Sequence, residues 1–423
     1  MRTLLVSLLL FSLFAQKDIV LIDSGDLLKI PIGVQPEFKL ASIPPKVEAI
    51  LFRGLPANEE TLWSSWGNGC FASNGKYYTA IGDHGGYGGN SYLYEYDPVA
   101  KTLKKVVDVA EAIGQKKGEY GHGKIHAQIY EHKNALYFTT YWGKQRQVQD
   151  AYTKGYKGSL LLRYDLRSRV LENLGAIAPR KGLPASTFDP DRELLYFYGV
   201  ENEKGDVVVY DLKKRSVKFQ GGAEFTAKHR SFLRTKDGKV YFSDQNGKLS
   251  FYDPDKNTIS STALVLPGSK NSLRASSTPA STGAIFGMTH AGRLFAFDPA
   301  KQTIRDLGLN FRAGEYTAVI VLSPDEKYLY YAPGAHGSAA EAGTPVIQYR
   351  IQTGERKVIA FLRDSLMKRA NYFIAGNYNM QIDSRGTTLY CTFNGSKYVS
   401  GKKQEEFGLP SLVVIQIPKG ESK

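Results

Sequence analysis

The residues able to do chemistry cluster in a few short, glycine-bordered segments: Asp83-His84-Gly85-Gly86, Gly121-His122-Gly123-Lys124-Ile125-His126, Tyr141-Trp142-Gly143 and His229-Arg230, with His290, His336, Tyr378 and Lys397 further on. Histidine and tyrosine can exchange protons, and arginine can neutralise a carboxylate. That combination suits β-elimination on a uronate sugar. The proton next to the carboxylate is weakly acidic, so the carboxylate must be neutralised and the enolate-like intermediate stabilised while a base removes the proton. An acid must then protonate the leaving oxygen. On this reading His126, with His122 as a second candidate, is the acid or base, Tyr141 is the nearby phenol, and Arg230 pairs with the carboxylate. His84, Trp142, His229, His290, His336, Tyr378 and Lys397 are the expected substrate contacts. The plain alternative for each histidine is a hydrogen bond to loop backbone.

Other site classes lack their residues. The chain contains no Gly-x-Ser-x-Gly, P-loop, His-Glu-x-x-His or Cys-x-x-Cys pattern, which removes the usual signatures of serine hydrolases, nucleotide sites and zincins. His122 and His126 have i, i+4 spacing, but Gly121 and Gly123 oppose the helix that would make them a metal pair. The elimination calls for no cofactor. A structural zinc or calcium ion gathered from different parts of the chain, with donors such as Cys391, His84, His290 and His336, stays open.

These segments are far apart in sequence, so a repeating architecture must bring them together. A strand ending in an aromatic-Asp pair recurs as Ser91–Asp97, Leu160–Asp165, Val207–Asp211, Leu249–Asp253 and Leu294–Asp298, then as the looser Val346–Arg350 and Leu412–Gln416. Each copy follows another strand rich in aromatic and β-branched residues, such as Tyr77-Tyr78-Thr79-Ala80 or Val240-Tyr241-Phe242. Turn sequences such as Ser73-Asn74-Gly75 and Lys236-Asp237-Gly238 precede them. A four-stranded antiparallel unit of about 40 to 50 residues is the period of a propeller blade. Seven copies predict an all-β, seven-bladed β-propeller closed by an N-terminal strand, either Ile19–Ile22 or Val47–Phe52. The long intervals before Asp165 and Gln416 place insertions in blades two and seven. In this fold the loops leading into the innermost strands and those joining second to third strands open on one face. Six of the seven histidines map there, and only His132 maps to the other side. Aligning Ala135 with Lys239 sets His126 and Arg230 at equivalent innermost positions.

The N-terminus reads as a secretory signal peptide over residues 1–15, with Met1-Arg2 before an apolar run from Leu4 to Phe14. Residues 16–423 then form a single propeller domain in a secreted or periplasmic protein. The run is shorter than a membrane span needs, so no membrane insertion is expected. Fifty-five Lys and Arg against 41 Asp and Glu give a net charge of +14. Export turns that charge toward an acidic polysaccharide rather than nucleic acid, and the protein is expected to be a monomer. Cys70 and Cys391 fall in blades one and seven, neighbours after closure, which leaves a disulfide, a shared metal or two free thiols open.

The segments Trp66-Gly67-Asn68-Gly69, Ile81-Gly82-Asp83-His84-Gly85-Gly86, Gly121-His122-Gly123-Lys124-Ile125-His126 and Thr140-Tyr141-Trp142-Gly143 resemble those of secreted seven-bladed polysaccharide lyases of the ulvan lyase type. The resemblance is clearest over about residues 60–175. It implies elimination with His and Tyr as acid and base and Arg as neutraliser. A non-catalytic propeller that binds glycan or protein is the alternative.

Overall fold

The computed structural model describes residues 19–34, 38–56, 62–143, 148–201, 204–222, 230–268, 272–312, 315 and 317–421. The expected signal peptide and His229 lie outside them.

Seven four-stranded antiparallel sheets follow one another around a ring. Blade one runs Cys70–Phe71, Tyr77–Gly82, Ser91–Asp97 and Thr102–Asp108 from the centre outward. The innermost strands of the next five blades are Lys124–Ile125 continued by Tyr130–His132, Gly182–Asp189, Leu233–Arg234, Leu273–Ser276 and Val321–Leu322. Each sheet is covered on both faces by its neighbours. Tyr77 and Tyr78, adjacent in one strand and pointing to opposite faces, are therefore both buried.

The repeated aspartate has a local cause. Asp97 Oδ1 accepts the backbone N–H groups of Val99 and Ala100, and Asp165, Asp211, Asp253 and Asp298 make the same pair of bonds two and three residues on. The carboxylate thus fixes the turn from third to fourth strand, which ends on a left-handed residue: Lys101, Arg169, Arg215, Asn257 and Gln302. Blade six has Arg350 instead of Asp, and there Gly354 takes the positive φ at no steric cost.

Closure is achieved in blade seven. Its strands Tyr372–Ile382, Thr388–Lys397 and Ser411–Gln416 are completed by Lys46–Leu51, paired antiparallel from Lys46 with Gln416 to Leu51 with Ser411. Ile19–Asp23 adds a fifth strand outside it. Both N-terminal candidates are therefore used. Lys39–Leu40 also pairs in parallel with Arg356–Phe361 of blade six, a contact that two residues of sequence do not reveal. The seam between blades seven and one is polar. Asn379 Nδ2 donates to Thr79 Oγ1 at 2.8 Å, and the Thr79 and Thr392 hydroxyls are 2.8 Å apart. Cys70 and Cys391 flank this seam as free thiols, so the disulfide alternative is not realised.

Candidate functional site

The site starts at the innermost strand of blade two. Alternate residues His126, Gln128 and Tyr130 line the central channel, while Ile125 and Ile129 pack into the core and Ala127 is buried with them. Lys124, two residues before His126, pairs with Tyr141 at the end of strand Ala135–Tyr141. The glycines around these residues let three loops stack backbone to backbone. A Cβ at Gly143 would fall 1.7 Å from the Gly85 carbonyl oxygen, and one at Gly123 would fall 2.5 Å from the same atom. His84, in a left-handed conformation, donates its N–H to the Gly123 carbonyl at 3.0 Å. Asp83 accepts N–H bonds from Gly85 and Asn90.

Trp66 is the hub of the mouth. Its Nε1 donates to Ser64 Oγ at 2.6 Å, and the residue is only 7% exposed. Ring centroids of His84, His126, His336, Tyr378 and Phe407 lie 5.0, 6.1, 5.9, 5.2 and 5.3 Å away. The Lys124 ammonium sits 4.5 Å above it. The channel beneath is a cavity of about 260 Å³ whose lining includes Trp66, His126, Arg230, Arg274 and Tyr378.

Two features set the chemistry of His126. Its Nδ1 is 2.8 Å from the Pro184 carbonyl oxygen, which can only accept, so Nδ1 carries the proton and Nε2 holds the lone pair. Burial, reinforced by Arg230, Lys124 and Arg274, holds its pKa well below the usual histidine value. The ring is neutral. Tyr141 meets it edge-on at 5.3 Å between centroids. Burial pushes the Tyr141 phenol up to about 12, partly offset by Arg230. The same burial lowers the Arg230 pKa, with Tyr141, Tyr198 and Tyr378 acting in the opposite sense.

The structure thus gathers six of these residues at one mouth: His126, Arg230 and Tyr378 line the cavity, and His84, Tyr141 and His336 join through ring contacts with Trp66, His126 and Tyr378. His290 is half-buried, donates its backbone N–H to Ser272, and acts electrostatically on His336. His122 is not in the channel lining. Its ring packs on Tyr156 at 5.2 Å beside a separate cavity of about 200 Å³. Trp142 is buried between Tyr141 and Tyr156 and belongs to the core. Lys397 is exposed at the end of its strand and is absent from the channel lining. Tyr141, the phenol expected beside His126, is not in a loop: it ends a strand and is 5% exposed.

Trp66, Lys124 and Arg274 went unassigned in the sequence. Trp66 precedes the first blade strand, and Arg274 sits on an innermost strand with no aromatic-Asp signature. The signal for Lys124 was its i, i+2 spacing from His126. Among the described residues no three His, Cys, Asp or Glu side chains group as a metal-holding set. Nor is any helix there long and apolar enough to cross a membrane.

No family model and no curated protein matches the chain. Among solved structures it is similar to the extracellular domain of a proposed one component system from B. thetaiotaomicron, with a TM-score of 0.54 and 14% identity. The match covers 85% of this chain and 40% of that one, so this chain spans less than half that protein's length. At such identity the likeness is one of fold, and fold alone selects no function.

Proposed function

We propose that this propeller is a secreted or periplasmic polysaccharide lyase that cleaves an acidic, uronate-bearing polysaccharide by β-elimination. The observation that carries the reading is the pairing of a neutral His126, its lone pair fixed on Nε2, with a protonated Tyr141 at a mouth where the charges acting on His126 are all positive.

The uronate carboxylate pairs with Arg230, whose planar fork suits a bidentate contact. That neutralisation makes the C5 proton more acidic, and His126 Nε2 removes it. The electron pair of the C5–H bond forms the C4–C5 double bond while the C4–O bond breaks. Tyr141 gives its proton to the departing oxygen. With the rings of His126 and Tyr141 in contact, the proton on His126 can return to Tyr141 and reset the site. The incoming carboxylate also offsets the positive field, so His126 becomes more basic when substrate is bound. Trp66 and Tyr378 supply aromatic surface beside the reacting sugar.

The test is incubation with a panel of acidic polysaccharides while following the ultraviolet absorbance of the unsaturated uronate. Elimination produces that chromophore and hydrolysis does not. Tight binding of a panel member without absorbance would instead establish the non-catalytic, glycan-binding alternative.

A further inference from the structure

Lys124 has no role in the proton transfers above, yet its placement is costly. Only 8% of it is exposed, and among the described residues it makes no ion pair. Its ammonium faces the Trp66 ring at 4.5 Å and the Tyr141 ring at 6.0 Å. An ammonium removed from water without a carboxylate is expensive, and two π faces return only a small part of that cost.

The groups around it show why no described residue satisfies it. On its own strand stands His126; from the segment before blade one comes Trp66, from blade two's second strand Tyr141, and from the approach to blade four Arg230. Arg274, His336 and Tyr378 complete the mouth from blades five, six and seven, with His84 from blade one. The Asp83 carboxylate, across Gly123, is turned to the N–H groups of Gly85 and Asn90. Lys124 is therefore a buried amine among like charges, set against the Trp66 ring that lines the channel.

We propose that Lys124 is the second cation of the anion subsite, engaging the same uronate carboxylate as Arg230, and that entry of the anion brings one proton onto its amine. The proposal rests on the reading of this mouth as an anion site and goes beyond it by coupling binding to proton uptake. Burial and the neighbouring Arg230 bring the Lys124 pKa down to about 7 in the empty channel. A carboxylate lodged between the two cations reverses the second cause and supplies the missing partner. The amine then regains its proton.

The experiment is nuclear magnetic resonance of full-length protein with lysines labelled with carbon-13 at Cε, titrated with pH, and with tryptophan fluorescence reporting occupancy. The free protein should show one lysine signal that titrates near neutrality and is missing from Lys124→Arg. Sodium glucuronate should change the fluorescence and move that midpoint upward by at least about one unit, whereas neutral glucose should do neither. Lys124→Arg should still bind glucuronate but lose the pH dependence of affinity around neutrality, and Lys124→Gln should bind about tenfold more weakly. A fluorescence change with an unmoved midpoint overturns the role of Lys124 and leaves the anion site standing. A Lys124 signal that stays charged well above neutrality in the free protein overturns it too. No response to glucuronate by either readout overturns the anion site and the proposal together.

Discussion

The imidazole of His126 in blade two is anchored to blade three: its Nδ1 lies 2.8 Å from the carbonyl oxygen of Pro184. The contact decides the tautomer, because a carbonyl has no proton to give. It also holds the ring in place between two independently packed sheets, so Nε2 is positioned before any ligand arrives.

Removing the proton-transfer pair should therefore act on rate. His126→Ala and Tyr141→Phe should each lower turnover by about 10²–10⁴-fold. Tyr141→Phe should leave KM close to wild type, since its ring and packing remain. Thermal melting of both variants on circular dichroism checks that the loss is chemical. Full activity in both variants on a confirmed substrate would remove the assignment.

The propeller itself was largely legible because its cause is local. An aspartate that caps a turn two and three residues on leaves the same mark wherever the turn recurs, and aromatic strands covered on both faces repeat with it. The site was half legible. His126 and Arg230 emerged from aligning blades, which works because both precede an alignable second strand. His122 did not follow, although it shares the parity of Lys124 and His126. The regular strand is only Lys124–Ile125, and at Gly123 the chain is pressed against the Gly85 loop, so alternation does not extend to His122. Trp142 was expected as a substrate contact from its place in the Tyr141-Trp142-Gly143 segment. That glycine instead serves the close approach of two backbones, with the indole directed into the core.

Arg230 tests the geometry of carboxylate recognition. Arg230→Lys keeps the charge but loses the fork, and should lower kcat/KM by at least about tenfold, with Arg230→Ala losing more. Raising ionic strength should weaken substrate binding in wild type and less so in Arg230→Ala. Equal kcat/KM for arginine and lysine would mean that the position contributes only diffuse charge.

His122 gives the fold an acid-sensitive point. It is 7% exposed, and burial lowers its pKa from 6.5 to about 4. Over that interval the unfolded chain binds a proton that the folded protein refuses. Stability is therefore intact above the unfolded pKa and falls as pH drops toward the folded one, by about 3 kcal/mol in full. Asp83 works the other way. Burial raises its pKa from 3.8 to about 6, so it favours the folded state at low pH and that contribution fades as pH rises through about 6. Urea midpoints measured across this range should fall less steeply on acidification in His122→Gln than in wild type. Parallel profiles would show that His122 is protonated in the folded protein.

Both cysteines should count as free thiols in denatured, unreduced protein. Burial raises the Cys70 thiol to about 12, and Cys391 is fully buried with its pKa raised by the same cause. Cys391 should not react with a thiol reagent before unfolding, and the half-buried Cys70 should react slowly because its thiolate is scarce. A count of zero would restore the disulfide across the seam.

Closure concentrates the stability of the ring in one strand. Ala49 is fully buried and pairs with Val413, at the centre of the strand Lys46–Leu51 that completes blade seven. The same strand is tied to blade one, where Lys101 reaches Glu48 at 2.6 Å. Ala49→Asp would place an unpaired carboxylate among Leu51, Val413 and Ile415, at a cost of about 4 kcal/mol or more. Leu21 lies one strand further out, opposite Glu48, and is largely exposed, so Leu21→Lys should change stability by about 0.5 kcal/mol or less. Because blade seven bridges blades six and one, the loss in Ala49→Asp should open the ring rather than melt one sheet. Hydrogen exchange should then show protection falling together in Tyr77–Gly82 of blade one and Thr388–Lys397 of blade seven. If exchange rose only in blade seven while blade one kept its protection, the N-terminal strand would be an edge addition and not the closure of the propeller.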